Sequence, residues 1–295
     1  MPKVKSQHYI PQLLLRNFAN YKGILSCYRI QDKKSFFAKP NSIMAENKLY
    51  DKISIEDAKK VLTYLDKNYI NKKYDRLKLK MDNDSQFIEH SLASSESRFG
   101  VFINKLVNSK KGTILLNLNN RINLLLMIRQ LSSRSVRRKQ QIKSIEQEEY
   151  NDVFTSCGIK KNTFNNYESV LRFLDIFMPS IPEKNEINYI AVCGSISLAI
   201  NDTDIPLLFG DNSPILKIPN TGEQLFPISP NLGILIRKNE EKSLIFKNKV
   251  DKYNNYHLTS REVSISNSLQ SSNINNIVVG PIRIIESSRK HQTNY

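Results

Sequence analysis

Residues 7–18 read Gln-His-Tyr-Ile-Pro-Gln-Leu-Leu-Leu-Arg-Asn-Phe, a polar start followed by a proline and an apolar run. Pro11 suits the first turn of a helix, so the leucines and the closing phenylalanine are expected to form a short helix on the core. Histidine exchanges protons most readily near neutral pH, which makes His8 a candidate general acid or base, positioned by Gln12 or by a carboxylate. The alternative for His8 is a capping or core role in which its ring bonds the backbone.

Outward from this run, the pattern of the chain predicts an α+β fold: a small N-terminal β element, a helical middle and a β-rich C-terminal half. Alternating patterns predict an early hairpin, with strands at Ile24–Ile30 and Ser35–Ala38. Helical spacing predicts four helical stretches, at Ile55–Met81, Ser85–Asn108, Leu115–Tyr150 and Asn165–Phe177. After Asn188 the period shortens towards two, with strands expected at Tyr189–Cys193, Ser195–Ile200, Leu207–Phe209, Ile234–Arg237, Leu244–Phe246 and Ile277–Val279, and a helix within Val263–Asn276. Pro179 and Pro182 place a sub-boundary near 179–187 of an otherwise single domain.

The composition is that of a globular protein with a marked basic excess. The 295 residues include 44 lysines and arginines against 28 acidic residues, giving a formal net charge of +16. Such a charge favours polyanionic partners such as nucleic acid, although surface lysines that only keep the chain solvated are an alternative. Three scattered cysteines, no apolar leader and no apolar stretch of bilayer length predict a cytoplasmic protein with reduced thiols and no membrane partner.

Basic residues cluster in the second half of the Leu115–Tyr150 stretch, at Arg129, Arg134, Arg137, Arg138 and Lys139. Three interpretations are open: a solvated helix face, a surface that contacts phosphates, or a structural pairing of Arg134 with a carboxylate. Glu89 and Glu96 are candidates for that pairing, because they are seven residues apart and share one face of the preceding helix.

An acidic turn follows the predicted buried strand at Ile205–Phe209. Asp211 and Asn212 stand there, where short polar side chains at a strand end often form sites, although an Asx turn is the alternative. Asp202, Asp204 and Asp211 are the acids that a metal-dependent nuclease would need, but their pattern does not predict a metal site. No cofactor is expected, and phosphate loops, dinucleotide glycine motifs and His-Glu-x-x-His are absent from the sequence.

Several short motifs, in order, resemble those of a bacterial family, domain of unknown function 4238. They begin with His8, Pro11 and Gln12, continue with Asn17-Phe18, and include Glu89 to Glu96, Arg134 and the segments at 209–214 and 226–230. The usual block, Arg-Thr-Pro followed by another Arg, reads Arg134-Ser135-Val136-Arg137 here, so the threonine and proline are missing. The Ser-Asp-Asn-Pro turn has Gly210 for serine and Ser213 inserted. The resemblance covers nearly the whole chain and implies a single-chain bacterial or phage-related protein, without a known reaction.

His8, Gln12, Arg134, Asp211 and Asn212 together are therefore the predicted catalytic constellation. The first hypothesis is a nucleic-acid-directed effector, a bacterial toxin or phage-defence nuclease that favours RNA over DNA, with Arg134 stabilising charge on the phosphorane. Arg129, Arg137, Arg138 and Lys139 would then bind nucleic acid. The alternatives are a non-catalytic nucleic-acid-binding or regulatory protein, and a protein–protein interaction module with a partner such as an antitoxin.

Overall fold

A computed structural model gives the fold of residues 6–47, 49–50, 53–68, 74–84, 86–156, 159–160, 163–178, 181–211, 216–217, 223–238, 243, 245–272 and 276–290. Its secondary structure confirms the predicted α+β class, with a small N-terminal β element, a helical middle and sheets in the C-terminal half. Within the described ranges, no helix has the length and apolarity that crossing a bilayer requires.

The N-terminal part contains four strands and one short helix: β1 (Ser6–His8), α1 (Gln12–Arg16), β2 (Leu25–Arg29), β3 (Lys34–Ala38) and β4 (Ala45–Asn47). The predicted hairpin is confirmed, since β2 and β3 pair antiparallel from Leu25↔Ala38 to Arg29↔Lys34. Pro11 caps α1, one position before the expected first turn. Leu14 and Leu15 of α1 are fully buried, and each such burial stabilises the fold by roughly 1.5–3 kcal/mol.

Within the described ranges, the helical middle contains the α-helices α2 (Ile55–Asn68), α3 (Asp75–Asn83), α4 (Phe87–Ser109), α5 (Leu118–Ser133), α6 (Val136–Lys143), α7 (Gln147–Ser156), α8 (Tyr167–Phe177) and α9 (Ile181–Cys193). Helix α4 buries the predicted apolar stripe, including Phe99, Ile103 and Leu106. Arg121 bonds the carbonyls of Ala191 and Gly194 at 3.0 and 3.2 Å, which ties α5 to the C-terminal end of α9.

Two predictions in this region are wrong. The single helix expected over Leu115–Tyr150 is three helices, because Ser135 has an extended backbone and caps α6 by accepting from the Arg138 amide at 3.2 Å. The strand expected at Tyr189–Cys193 is the last part of α9.

The C-terminal part contains seven strands and two helices: β5 (Ser195–Ile200), β6 (Phe209–Gly210), β7 (Leu216–Lys217), β8 (Glu223–Ser229), β9 (Leu232–Arg237), β10 (Asn255–His257), α10 (Ser260–Ser272), β11 (Ile277–Val279) and α11 (Ile282–Lys290). The expected strands at Ser195–Ile200 and Ile277–Val279 are confirmed with the same bounds. The strand expected at Leu244–Phe246 is wrong for Ile245 and Phe246, whose amides instead bond the buried Glu223 carboxylate, and Leu244 lies outside the described residues.

Strands from both ends of the chain share one sheet. A four-stranded antiparallel sheet has the order β3-β2-β11-β6, and a five-stranded sheet has the order β10-β5-β9-β8-β7 with only the β10–β5 pair parallel. The main apolar core includes Ile10, Leu15, Ile103 and Ile234, so the N-terminal segment packs in the same cluster as α4 and β9. The sub-boundary near 179–187 stays a prediction; residues 181–187 lie in α9.

Candidate functional site

Strand β1 sets the position of His8. It pairs antiparallel with β4 through Gln7↔Glu46 and His8↔Ala45. Gln7 is fully buried, and its side-chain oxygen accepts a 2.6 Å hydrogen bond from the Tyr50 amide. The start of the 7–18 run is therefore held by pairing with β4 and by the buried Gln7 side chain, while helix α1 of the same run packs in the core.

Arg134 binds the backbone of His8 from the C-terminal end of α5. It caps the C-terminus of α5 and is 3% exposed. Its guanidinium donates to Tyr50 Oη at 2.6 Å, to Glu96 Oε1 at 2.5 Å and to the His8 carbonyl at 2.5 Å. The Tyr50 hydroxyl in turn donates to the same His8 carbonyl at 3.1 Å. We name this set, Tyr50, Glu96 and Arg134 around the His8 carbonyl, the arginine clamp.

The charges in the arginine clamp are mutually stabilised. Burial raises the pKa of Tyr50 to about 12, against the opposing effect of Arg134, so Tyr50 is a neutral donor at physiological pH. Burial acts to lower the pKa of Arg134, but Tyr50 and Glu96 outweigh it and the net shift is upward. Of the two glutamates offered by the sequence, Glu96 makes the ion pair, whereas Glu89 acts on Tyr50 through its charge.

The arginine clamp binds the His8 backbone and leaves the ring outside these hydrogen bonds. The ring is partly buried, and its Nε2 is buried without a hydrogen-bond partner in the described structure. Burial lowers the pKa of His8 below its ordinary 6.5, against the opposing effects of Glu96 and of backbone hydrogen bonds with Asn41 and Pro40. His8 is therefore neutral at pH 7, and a neutral imidazole with an unshared nitrogen can accept a proton.

Asp211 binds main-chain amides, and its predicted role in catalysis stays a prediction. It is fully buried, and its carboxylate accepts from the Asn276 amide at 3.0 Å and from the Ile277 amide at 2.9 Å, which fastens β6 to β11. The carboxylate also acts on its surroundings, because burial first and then the charges of Asp211 and Glu46 raise the pKa of Tyr9. Asn212 lies outside the described residues.

Among the residues that the structure describes, no hydrogen bond joins Gln12 to His8. Its side-chain oxygen accepts from Arg16 Nη2 at 3.3 Å, one turn along α1. The group that positions His8 is Arg134, acting through the backbone.

The basic residues do not form one continuous cationic face, because the single helix expected over Leu115–Tyr150 is divided. Helices α5 and α6 are separate, so Arg134 is buried while Arg137 is exposed. The others are paired with carboxylates: Arg129 with Glu183 at 3.2 Å, Arg138 with Asp175 at 3.0 Å, and Lys139 with Glu46. Their role in nucleic-acid binding stays a prediction, and it would require these ion pairs to open.

A surface that sequence reasoning missed lies beside His8. It is a groove of about 610 Å³, which we name the β3 groove. Residues of β2, β3 and β11 and of the 39–46 segment form most of its lining. Its lining comprises Tyr9, Arg29, Phe36, Phe37, Ala38, Lys39, Ser42, Ile43, Met44, Ala45, Glu46, Val136, Asn276 and Ile277. His8 itself is not a lining residue, but the next residue, Tyr9, and the cross-strand partner, Ala45, both line the groove.

The β3 groove combines aromatic rings with cations. Phe37 is 70% exposed, and the Arg29 guanidinium lies 4.9 Å from the Phe36 ring centroid. Lys39 is exposed, and the Asn276 side chain contributes a buried oxygen with no partner among the residues that the structure describes. The adjacent phenylalanines of β3 could have indicated this surface from the sequence, because two successive aromatic residues in an edge strand cannot both face the core.

The acids considered for a metal lie apart. Asp202 is exposed and bonds His257 Nδ1 at 2.9 Å, whereas Asp204 is exposed and Asp211 is occupied by main-chain amides. No group of three or more His, Cys, Asp or Glu side chains converges within the described residues.

Comparisons with known proteins give one family. A family model described as "Protein of unknown function (DUF4238)" matches residues 6–283, from the start of β1 into α11. Neither the curated proteins nor the solved structures contain a match to the chain. The matched region contains the arginine clamp, Asp211 and the whole β3 groove, and the chain belongs to the DUF4238 family.

Proposed function

We propose that this protein is a nucleic-acid-directed effector that binds single-stranded RNA in the β3 groove and cleaves it with His8 as the base. One observation supports the proposal: a neutral His8, whose buried Nε2 has no partner in the described structure, directly precedes Tyr9, which lines a groove containing aromatic rings and cations. The formal net charge of +16 supports attraction of a polyanion.

The lining suits a single strand better than a duplex. Bases stack on aromatic side chains whatever their identity, while cations follow the phosphates. Phe37, at 70% exposure, is an open stacking surface, and the preceding residue, Phe36, has the Arg29 guanidinium 4.9 Å from its ring centroid. Lys39 supplies a flexible charge at the same edge of the groove.

The chemistry favours RNA. In the tautomer protonated on Nδ1, His8 accepts the proton of a 2′-hydroxyl on Nε2. The 2′-oxygen then bonds to the adjacent phosphorus, and the 5′-oxygen leaves and takes a proton from solvent. DNA lacks the 2′-hydroxyl and so cannot react in this way. Arg134 is a positioning residue in this scheme, because its buried guanidinium binds the His8 carbonyl and not the substrate.

Binding is tested first, by fluorescence anisotropy with a labelled 12-nucleotide single-stranded RNA. We expect Phe37→Ala and Lys39→Ala each to weaken binding several-fold, because a stacked base contributes roughly 1–3 kcal/mol. Tyr21→Ala and Lys249→Ala are matched controls, since both residues are exposed and outside the groove. Equal binding by all four variants would contradict the location of the site.

Cleavage is tested with the same RNA, its DNA counterpart and the His8→Gln variant. We expect the wild type to cleave only the RNA, and His8→Gln to bind it with unchanged affinity without cleaving it. Expression in bacteria should then reduce growth and degrade total RNA in a His8-dependent way, as a toxin or defence nuclease would. Groove-dependent binding without cleavage would instead identify a non-catalytic RNA-binding protein, and no binding would refute both activities.

A further inference from the structure

A second cavity, distinct from the β3 groove, lies between α4, α5 and α8. It has a volume of about 480 Å³, within the range of about 300–1,000 Å³ that is usual for small-molecule sites. None of its lining residues is shared with the β3 groove. We name it the helical cavity, and we infer that it binds a mononucleotide: one base, one ribose and one phosphate.

One polar atom in the helical cavity lacks the donor that it needs. The side-chain oxygen of Gln130 is buried and has no hydrogen-bond partner among the described residues. Buried acceptors in native proteins are nearly always satisfied, so this oxygen points to a donor that the folded chain itself does not supply. The amino groups of adenine, guanine and cytosine are donors of the required kind.

The walls suit a planar ring. Phe102 of α4 and Phe177 of α8 line the cavity and are only partly buried, and Met127 completes an apolar side. Ser95 on α4 bonds weakly to the Met127 sulfur at 4.0 Å. An aromatic base placed here would contact rings and sulfur while its edge reaches Gln130.

The cavity also has a cation for a phosphate. Arg98 is exposed and lines the cavity, and it has no ion-pair partner among the residues described. Arg129 lines it from α5, but its guanidinium is occupied by bonds of 3.3 and 3.2 Å to Glu183, so Arg98 is the described lining cation left to bind a phosphate. Free phosphate would use Arg98 alone, whereas a mononucleotide would also satisfy Gln130 and cover the rings.

Isothermal titration calorimetry of the full chain with AMP, GMP and CMP tests the inference. Ribose 5-phosphate, adenosine and inorganic phosphate serve as comparison probes. We expect at least one nucleotide to bind tenfold or more tightly than ribose 5-phosphate, which lacks the base, and adenosine, which lacks the phosphate. No heat from any nucleotide up to millimolar concentration, or equal affinity for inorganic phosphate, would overturn the inference.

Variants locate the binding. Arg98→Ala and Gln130→Leu should each weaken nucleotide binding, the first by about tenfold or more because it removes a charge-assisted hydrogen bond. Arg261→Ala is the matched control, being an exposed arginine on α10 outside the cavity. Circular dichroism verifies that each variant is folded, and unchanged binding in both cavity variants would refute the site.

The groove variant Phe37→Ala separates this inference from the proposed RNA activity. It should leave nucleotide affinity unchanged, since Phe37 does not line the helical cavity. If Phe37→Ala abolished nucleotide binding, the nucleotide would occupy the β3 groove and the helical cavity would not be the site. Failure of RNA cleavage, by contrast, would have no bearing on these titrations.

Discussion

Replacing Arg134 by methionine tests the energetic role of the arginine clamp. The substitution keeps most of the side-chain volume and removes the charge. Three groups then lose a donor: the Glu96 carboxylate at 2.5 Å, the Tyr50 hydroxyl at 2.6 Å and the His8 carbonyl at 2.5 Å. Because Arg134 is 3% exposed, water cannot take its place without opening the packing around α5.

The expected cost follows from the charge left behind. Removing one member of a buried ion pair destabilises a protein by roughly 3–5 kcal/mol. The Glu96 side chain is 20% exposed, which lets some water reach its carboxylate and moves the cost to the low end of that range. The two further lost hydrogen bonds raise the cost by about 1 kcal/mol each. We therefore expect Arg134→Met to lower the free energy of unfolding by about 5 kcal/mol.

Urea denaturation followed by far-ultraviolet circular dichroism measures this cost, because the chain has no tryptophan for fluorescence. Arg137→Met is the matched control: Arg137 is exposed on α6, and its replacement should change stability by less than about 0.5 kcal/mol. Combining Arg134→Met with Glu96→Leu should be less destabilising than the sum of the two single changes, by roughly 2 kcal/mol, since no unpaired charge remains. A loss below about 1 kcal/mol for Arg134→Met, or strict additivity in the double variant, would refute the reasoning.

Three other predictions concern stability. Burial lowers the pKa of His8, so the unfolded chain takes up a proton that the folded chain does not as the pH falls through the ordinary value of 6.5. The stability of the wild type should therefore fall relative to His8→Gln between pH 7.5 and 5.5; parallel urea midpoints across that range would contradict this. Asp211→Asn should cost about 1.5–3 kcal/mol and speed amide hydrogen exchange at Asn276 and Ile277, because it weakens charge-assisted bonds to both amides, whereas the exposed Asp204→Asn should have no effect. Gly112→Ala should cost at least about 1–3 kcal/mol in the same urea assay, since a Cβ would lie 2.2 Å from the Asn254 carbonyl oxygen, and wild-type stability would mean that the backbone there can move apart.

Local pattern was enough to predict the elements whose own periodicity decides their structure. The α4 stripe is apolar at helical spacing and is buried as expected, and the β2–β3 hairpin has the predicted partners. The pairing of Arg134 with a glutamate of α4 was one of three open interpretations, and the structure contains it as the Arg134–Glu96 ion pair. The charge pattern alone could not choose among them, because burial of Arg134 depends on contacts 38 residues away in the chain.

Tertiary contacts decided the rest. The Ile-Asn-Tyr-Ile-Ala-Val-Cys segment at 187–193 has strand-like composition but is helical, because α9 packs on α5 and Arg121 binds the carbonyls at its end. The break between α5 and α6 depends on Ser135, which caps α6. The sequence alone does not reveal this role, because it depends on the burial of the preceding Arg134. The β3 groove was beyond sequence reasoning, since its walls come from β2, β3, β4, α6 and β11, which lie far apart in the chain.

Two charged residues that the sequence grouped with His8 act on the main chain. Arg134 binds the His8 carbonyl, and Asp211 binds the amides of Asn276 and Ile277. These bonds hold β1 to the C-terminal end of α5 and tie β6 to β11. His8 differs from both, because its carbonyl is held while its Nε2 has no partner in the described structure. If His8 is the base proposed above, its backbone therefore has the rigid support that a positioned base requires.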